Sequence, residues 1–179
     1  MRTLLASLFL LTSSPAFAGK LAGVSMPDSV TVGGTALVLN GMGLREKYFI
    51  DIYVAGLYVP QKTSSASTVI TQDTPKQITM HMTYDLSKDK LAEAMREGLA
   101  TSTEAAAKAH TETLAGWMET VAPGDKILLT YVPGTGTTVT VKGKAKGTIP
   151  GPEFMRAIWG IYVGPKPPTS ALKKGLLGQ

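Results

Sequence analysis

Arg45 and Tyr53 are the two side chains whose types and spacing best suit a chemical task in this sequence. They lie within Gly41 to Val59, GMGLREKYFIDIYVAGLYV, a stretch dense in the aromatic and branched residues that favour strands. Strand side chains alternate faces, so positions 45 and 53, eight apart, face the same way if the stretch is one unbroken strand. A guanidinium beside a phenol then offers hydrogen-bond donors to an anionic partner. Lys47, Phe49, Asp51, Ala55 and Leu57 share that face. Asp51 is the internal competitor: paired with Arg45, it would neutralise the charge and leave none for a ligand. The other face, Tyr48, Ile50, Ile52, Val54, Gly56 and Tyr58, is almost wholly apolar. A bulge at Gly56 would reverse every assignment beyond it.

The other residues that carry chemistry point away from metal or nucleophilic catalysis. The sequence has no cysteine, which removes disulfides, thiolate sites, cysteine nucleophiles and a lipid-anchored cysteine together. His81 and His110, the only histidines, fall on different elements without a partner at helical spacing, so no metal is expected. His110, central on an apolar helical stripe, reads as a hydrogen-bonded core residue. The G-x-S-x-G pattern of serine hydrolases is absent. Gly41-Met-Gly43 and Gly134-Thr-Gly136 each lack a third glycine and open a strand instead of a helix, so both read as turns and neither as a phosphate loop. No cofactor is expected.

The elements that must position Arg45 and Tyr53 follow from patterning. Met1-Arg2, an apolar run from Leu4 to Leu11 and the Ala16-Phe17-Ala18 site predict a signal sequence cut after Ala18, leaving 19–179 as one domain, periplasmic or secreted. Ser29 to Val32 and Thr35 to Leu39 read as short strands around Gly33-Gly34, with Asn40-Gly41 as a further turn before the long strand. Pro60 to Thr68 reads as a loop, and Gln77 to Tyr84 as a strand with Ile78, Met80, Met82 and Tyr84 on one face. Ser87 caps a predicted helix from Lys88 to Ala100. A second helix runs from Glu104 to Val121. Lys126 to Val132 and Thr137 to Val141 form a hairpin, and Lys142 to Lys146 makes a turn. Pro152 starts a helix that places Phe154, Ile158, Ile161 and Tyr162 inward and stops at Gly164, before a last helix near Ser170 to Leu177. Strands, helices, strands and helices in that order predict an α+β fold with helices over one side of an antiparallel sheet.

Charge narrows the partners. The formal charge is +5, but apart from Lys142, Lys144 and Lys146 the lysines are scattered and no aromatic residues interleave with them. Nucleic acid is therefore not expected. Weak attraction to an anionic membrane surface, or to a small anionic ligand, is the natural consequence.

Four separated stretches, NGMGLREKYFIDIYVAGLYV, the helix pair after YDLS, GDKILLTYVPGTG and EFMRAIWGIYVGPKPPTSALKKGLLG, resemble the chalcone isomerase-like superfamily, and more closely its secreted bacterial members. The resemblance implies an open-faced β-sandwich, a large antiparallel sheet with helices over one face and a ligand cleft between them. It also implies candidate roles. In the plant enzymes, which cyclise a chalcone to a flavanone, an arginine near the start of the long strand stabilises anionic character, and Arg45 matches it. The enzymes' threonine further along falls at Tyr53, and their helical tyrosine and asparagine find no match in Lys88 to Ala100. Members that bind fatty acids use an arginine and a tyrosine on this strand for the carboxylate, and Arg45 and Tyr53 match that pair.

Three functions are thus set out: a periplasmic, non-catalytic binder of an amphipathic carboxylate such as a fatty acid; an intramolecular lyase or isomerase acting on a chalcone-like conjugated carbonyl; and an envelope interaction module without a small ligand.

Overall fold

A computed structural model describes residues 17–179. The expected signal sequence lies outside the described residues up to position 16. Seven strands form one antiparallel sheet in sequence order: β3 (Ser29–Val32), β4 (Thr35–Lys47), β5 (Ile50–Val59), β6 (Lys76–Met82), β7 (Lys126–Val132), β8 (Gly136–Val141) and β9 (Lys144–Ile149). A separate hairpin, β1 (Phe17–Leu21) with β2 (Val24–Pro27), covers part of one face. The helices α2 (Lys88–Ala100), α3 (Ala105–Gly116), α4 (Pro152–Val163) and α5 (Ser170–Leu176) cover the other, with a short α1 (Ala66–Thr71) between β5 and β6. This is the α+β architecture that the order of elements predicts, a large antiparallel sheet with helices on one side.

Alternation along the strands divides the core in two. Ala55, Leu57 and Val59 of β5 join Ile78, Met80 and Met82 of β6 beneath the helices, where Trp159 and Tyr162 of α4 are fully buried. Val54 and Tyr58 point the opposite way and meet Val24 and Met26 of the small hairpin. Gly56 is not a bulge: an added Cβ would strike the Met26 sulfur, so glycine here lets the small hairpin press onto the sheet.

The long strand expected between Gly41 and Val59 is instead a hairpin. β4 and β5 pair from Val38↔Val59 to Lys47↔Ile50, and the chain reverses at Tyr48-Phe49, both at positive φ (51° and 64°). Asn40-Gly41 and Gly41-Met-Gly43 are not turns either; they lie inside β4. The glycines have a different physical reason. An added Cβ at Gly41 would strike the Gly175 carbonyl oxygen, and one at Gly43 the Leu172 carbonyl oxygen, so both clear a bed for α5. Asn40 holds the same helix, donating from Nδ2 to the carbonyls of Leu176 (2.7 Å) and Thr63 (3.0 Å).

Among the helices, α2 begins at its expected cap, where the Ser87 hydroxyl accepts from the Lys90 backbone N–H. α3 is shorter than Glu104 to Val121, because past Gly116 the chain drops to the sheet side and Val121 bridges Leu86. α4 keeps Pro152 in its first turn and ends at Gly164. Within the expected loop of Pro60 to Thr68, Ser65 caps α1.

Candidate functional site

Arg45 and Tyr53 are direct cross-strand partners in the β4–β5 ladder. Residues opposite each other in an antiparallel pair share a face, with Cα atoms about 4.5–5.5 Å apart. Tyr53 packs against the core beneath the helices, so that face is the helix side. A register shift between Arg45 and Glu46 leaves Ile52 as the extra residue, which twists the hairpin end beyond the pair. The common face expected for the two side chains is therefore present, reached through a hairpin and not through alternation along one strand.

The guanidinium is anchored but not neutralised. Its Nη1 donates to the Pro168 carbonyl (2.8 Å), in the segment leading into α5, and to the Glu46 carbonyl (3.2 Å). Among the described residues Arg45 has no carboxylate within ion-pair distance; Asp51 is exposed, and its backbone carbonyl accepts from the Thr83 hydroxyl (2.8 Å). The internal Arg45–Asp51 pair is thus not formed. Two carbonyls use the two Nη1 protons, and the Nε–H and Nη2–H edge, the fork that fits a carboxylate in bidentate fashion, has no partner among the described residues.

Tyr53 supplies a neutral donor on the same face, directly across the ladder from Arg45. Burial raises its phenol well above the ordinary tyrosine value, against the opposing pull of the Arg45 charge, so its proton stays on at any physiological pH. A third polar atom, which the sequence reading placed only within an apolar stripe, joins them. Tyr162 of α4 is buried, its hydroxyl donates to the Met80 sulfur (3.5 Å), and its phenol is raised by burial and further by Tyr53. The signal for it was a lone hydroxyl on an otherwise apolar helix face.

Apolar side chains pack between this polar group and the helices. Ile52, Tyr53 and Leu86 close over the buried core. Five of the eight methionines, Met80, Met82, Met95, Met118 and Met155, belong to that core. Unbranched thioether side chains repack more readily than branched ones, so this wall is deformable.

Two pockets lie elsewhere. One of about 400 Å³ sits at the far end of β5 and β6, lined by Val59, Val69, Asp73 and Lys76 among others. Its cation is already occupied: Lys76 Nζ donates to the carbonyls of Val69 (2.7 Å) and Gln72 (2.6 Å) and to the Met155 sulfur (3.5 Å). The other, about 190 Å³, lies on the opposite face of the sheet and includes His81 and Lys126. Neither contains Arg45 or Tyr53. The β4–β5 pair is the better candidate: there a half-buried guanidinium keeps a donor edge free among the described residues, opposite a phenol, whereas Lys76 has its three N–H donors committed and the pocket with Lys126 is the smaller of the two.

Neither histidine completes a metal site among the described residues, where no group of three potential ligands occurs. His110 is half-buried and meets the edge of Phe154 (ring centroids 5.8 Å apart) in place of the hydrogen bond expected of it.

Comparison with known proteins gives this arrangement a family. A solved structure of a fatty-acid binding protein from Arabidopsis thaliana aligns with a TM-score of 0.69 at 19% sequence identity, covering 87% of this chain and 92% of that one. The likeness establishes a shared fold. No curated protein sequence matches. The profile of the family described as chalcone isomerase-like matches residues 18–178, nearly the whole described chain, and the protein belongs to the chalcone isomerase-like family.

Proposed function

We propose that this protein binds a fatty acid, or a similar amphipathic carboxylate, without turning it over. The carboxylate sits on the Nε and Nη2 edge of Arg45 and accepts a further hydrogen bond from the Tyr53 hydroxyl. The observation that carries this reading is the direct pairing of a phenol with a guanidinium whose carboxylate-binding edge meets no acid among the described residues. Support at family level comes from the fatty-acid binding protein that shares the fold.

The energetics are coherent. Charge-assisted hydrogen bonds contribute about 1.5–3 kcal/mol net. A dozen buried methylenes contribute roughly 10 kcal/mol, at about 0.8 each, before the cost of ordering the chain. The acyl chain thus supplies affinity, and Arg45 selects the headgroup. The acyl chain enters among the methionine side chains of the helix-side core, which can shift to admit it. In the same reading residues 1–18 are removed on export, and the protein works in the periplasm.

An isomerase reading has less beneath it. α2 carries neither tyrosine nor asparagine, and Asn40, the only asparagine, is committed to α5 and Thr63. An oxyanion site short of donors loses several kcal/mol of transition-state stabilisation.

The test is native mass spectrometry of the protein purified from its own envelope, followed by titration with a long-chain fatty acid. A near-stoichiometric fatty acid is expected on the wild type, with affinity about ten- to a hundredfold lower in Arg45→Ala, equivalent to about 1–3 kcal/mol. Equal affinity in a folded Arg45→Ala protein would remove the arginine from the site.

A further inference from the structure

Four two-residue hairpin loops in the described chain have positive φ at both positions. They are Ala22-Gly23 (46° and 78°), Gly33-Gly34 (55° and 79°), Lys142-Gly143 (54° and 76°) and Tyr48-Phe49 (51° and 64°). Three end in glycine, as this left-handed backbone favours. The β4–β5 loop alone puts two aromatic residues where any Cβ is strained.

Those aromatics are also the most exposed large apolar side chains of the described residues, Phe49 at 96% and Tyr48 at 83%. The others so exposed, Ile50 and Tyr84, lie at the same end: Thr83, next to Tyr84, donates to the carbonyls of Ile52 and Asp51. Beyond the Tyr53↔Met82 pair the β5–β6 ladder stops, so the hairpin end runs on past the sheet. A soluble loop at this position would be served better by Asn-Gly on both counts, backbone strain and solvation.

We propose that the Tyr48-Phe49 hairpin tip is a wedge that enters the interfacial layer of a lipid bilayer and docks the protein there. Three observations select a bilayer over a protein partner. Tyr48 and Phe49, at about 150–250 Å² each, bring only about 300–500 Å², short of the about 800 Å² per partner of a stable protein interface. The tip is convex and needs no complementary surface when the partner is fluid. Lys47 places its ammonium 5.6 Å from the Tyr48 ring centroid, where it reaches headgroup phosphates as the rings descend. Glu46 and Asp51 offset Arg45 and Lys47 locally, so apolar insertion drives docking and the overall charge of +5 adds a weaker pull towards anionic lipid. Docked this way, the Arg45–Tyr53 pair stands just behind the bilayer surface, where a fatty acid would be taken up; that last step rests on the fatty-acid reading, and docking itself does not.

The experiment is flotation of the full-length mature protein with vesicles of phosphatidylcholine containing a minor share of phosphatidylglycerol, free of added fatty acid. The comparison variant is Tyr48→Asn/Phe49→Gly, which gives the loop the residues its backbone favours and so is expected to melt no lower than the wild type. Wild-type protein should float with the vesicles and the variant should lose at least tenfold in partitioning, while both bind fatty acid equally in vesicle-free solution. Equal partitioning of the two, or a wild type that never floats, overturns the wedge. A wild type that instead self-associates in sedimentation, with the variant monomeric and neither floating, also overturns it. Arg45→Ala separates the two readings. If it still floats but has lost fatty acid, both stand. If it floats and still binds fatty acid, the wedge stands and the headgroup assignment fails.

Discussion

Lys76 and Arg45 are both cations held by backbone carbonyls with no carboxylate in ion-pair contact among the described residues, yet they differ in how many protons are already committed. Lys76 is 1% exposed, and its three N–H donors meet two carbonyls and a thioether sulfur. Two of those acceptors, Val69 and Gln72, are at the end of α1, so the ammonium caps a short helix. Arg45 is half-buried and commits one nitrogen of three, to carbonyls that fix its stem against α5. A cation whose donors are all used is part of the fold. One that is anchored with an edge to spare is part of a site.

The two cations should differ most in what each is worth to the fold. Lys76→Ala leaves the Val69 and Gln72 carbonyls unpaired and opens a cavity beside Met155, and it should cost about 2–4 kcal/mol in urea unfolding. Arg45→Ala gives up one well-made hydrogen bond to Pro168 at a partly exposed position and should cost about 1 kcal/mol. Equal costs would place both residues in the scaffold and remove the basis for treating Arg45 as a ligand contact.

A smaller effect sharpens the same contrast through pH. Burial lowers the Lys76 ammonium from its ordinary value of 10.5 to about 8, with the nearby Asp73 charge opposing the shift. Between those values the unfolded chain binds a proton that the folded chain does not. The Lys76 contribution to stability therefore rises with pH across that window, by at most about 1.4 kcal/mol per pH unit. Below about pH 8 both states are protonated, and the full cost of burying the charge is present. The difference in unfolding free energy between wild type and Lys76→Met should accordingly move in favour of the wild type as pH rises from about 8 to about 10.5. A flat difference would mean that the two carbonyls keep Lys76 charged throughout.

How far the sequence led depended on whether a residue answered to local or to distant structure. Gly33-Gly34, the Ser87 cap, and Pro152 with Gly164 each satisfy a need of their own backbone, and each was legible. Gly41 and Gly43 answer to α5, more than a hundred positions later in the chain, and their spacing looked like a turn because nothing local distinguishes the two uses. The reversal at Tyr48-Phe49 was hidden because the tip carries strand-forming aromatics where turn residues belong. Arg45 and Tyr53 were still placed on one face, since eight positions along a strand and a direct cross-strand pair both give that result. Tyr162 was placed inward as core, but only the packed fold brings its hydroxyl near Tyr53.

The finest test asks whether the phenol and the guanidinium serve one ligand. Tyr53→Phe keeps the ring packed against the helix-side core and removes only the hydroxyl, so the fold should be unaffected and fatty-acid affinity should fall by about 0.5–1.5 kcal/mol, up to roughly tenfold. The informative quantity is the double variant with Arg45→Ala. If both groups hold the same carboxylate, losing the arginine lets the headgroup shift, and the second substitution should cost less than it does alone, a coupling of about 0.5 kcal/mol or more. Additive losses within about 0.3 kcal/mol would mean that each group acts alone. Tyr53 would then belong with Tyr162 as a buried phenol of the core, and Arg45 would be left as the single headgroup contact.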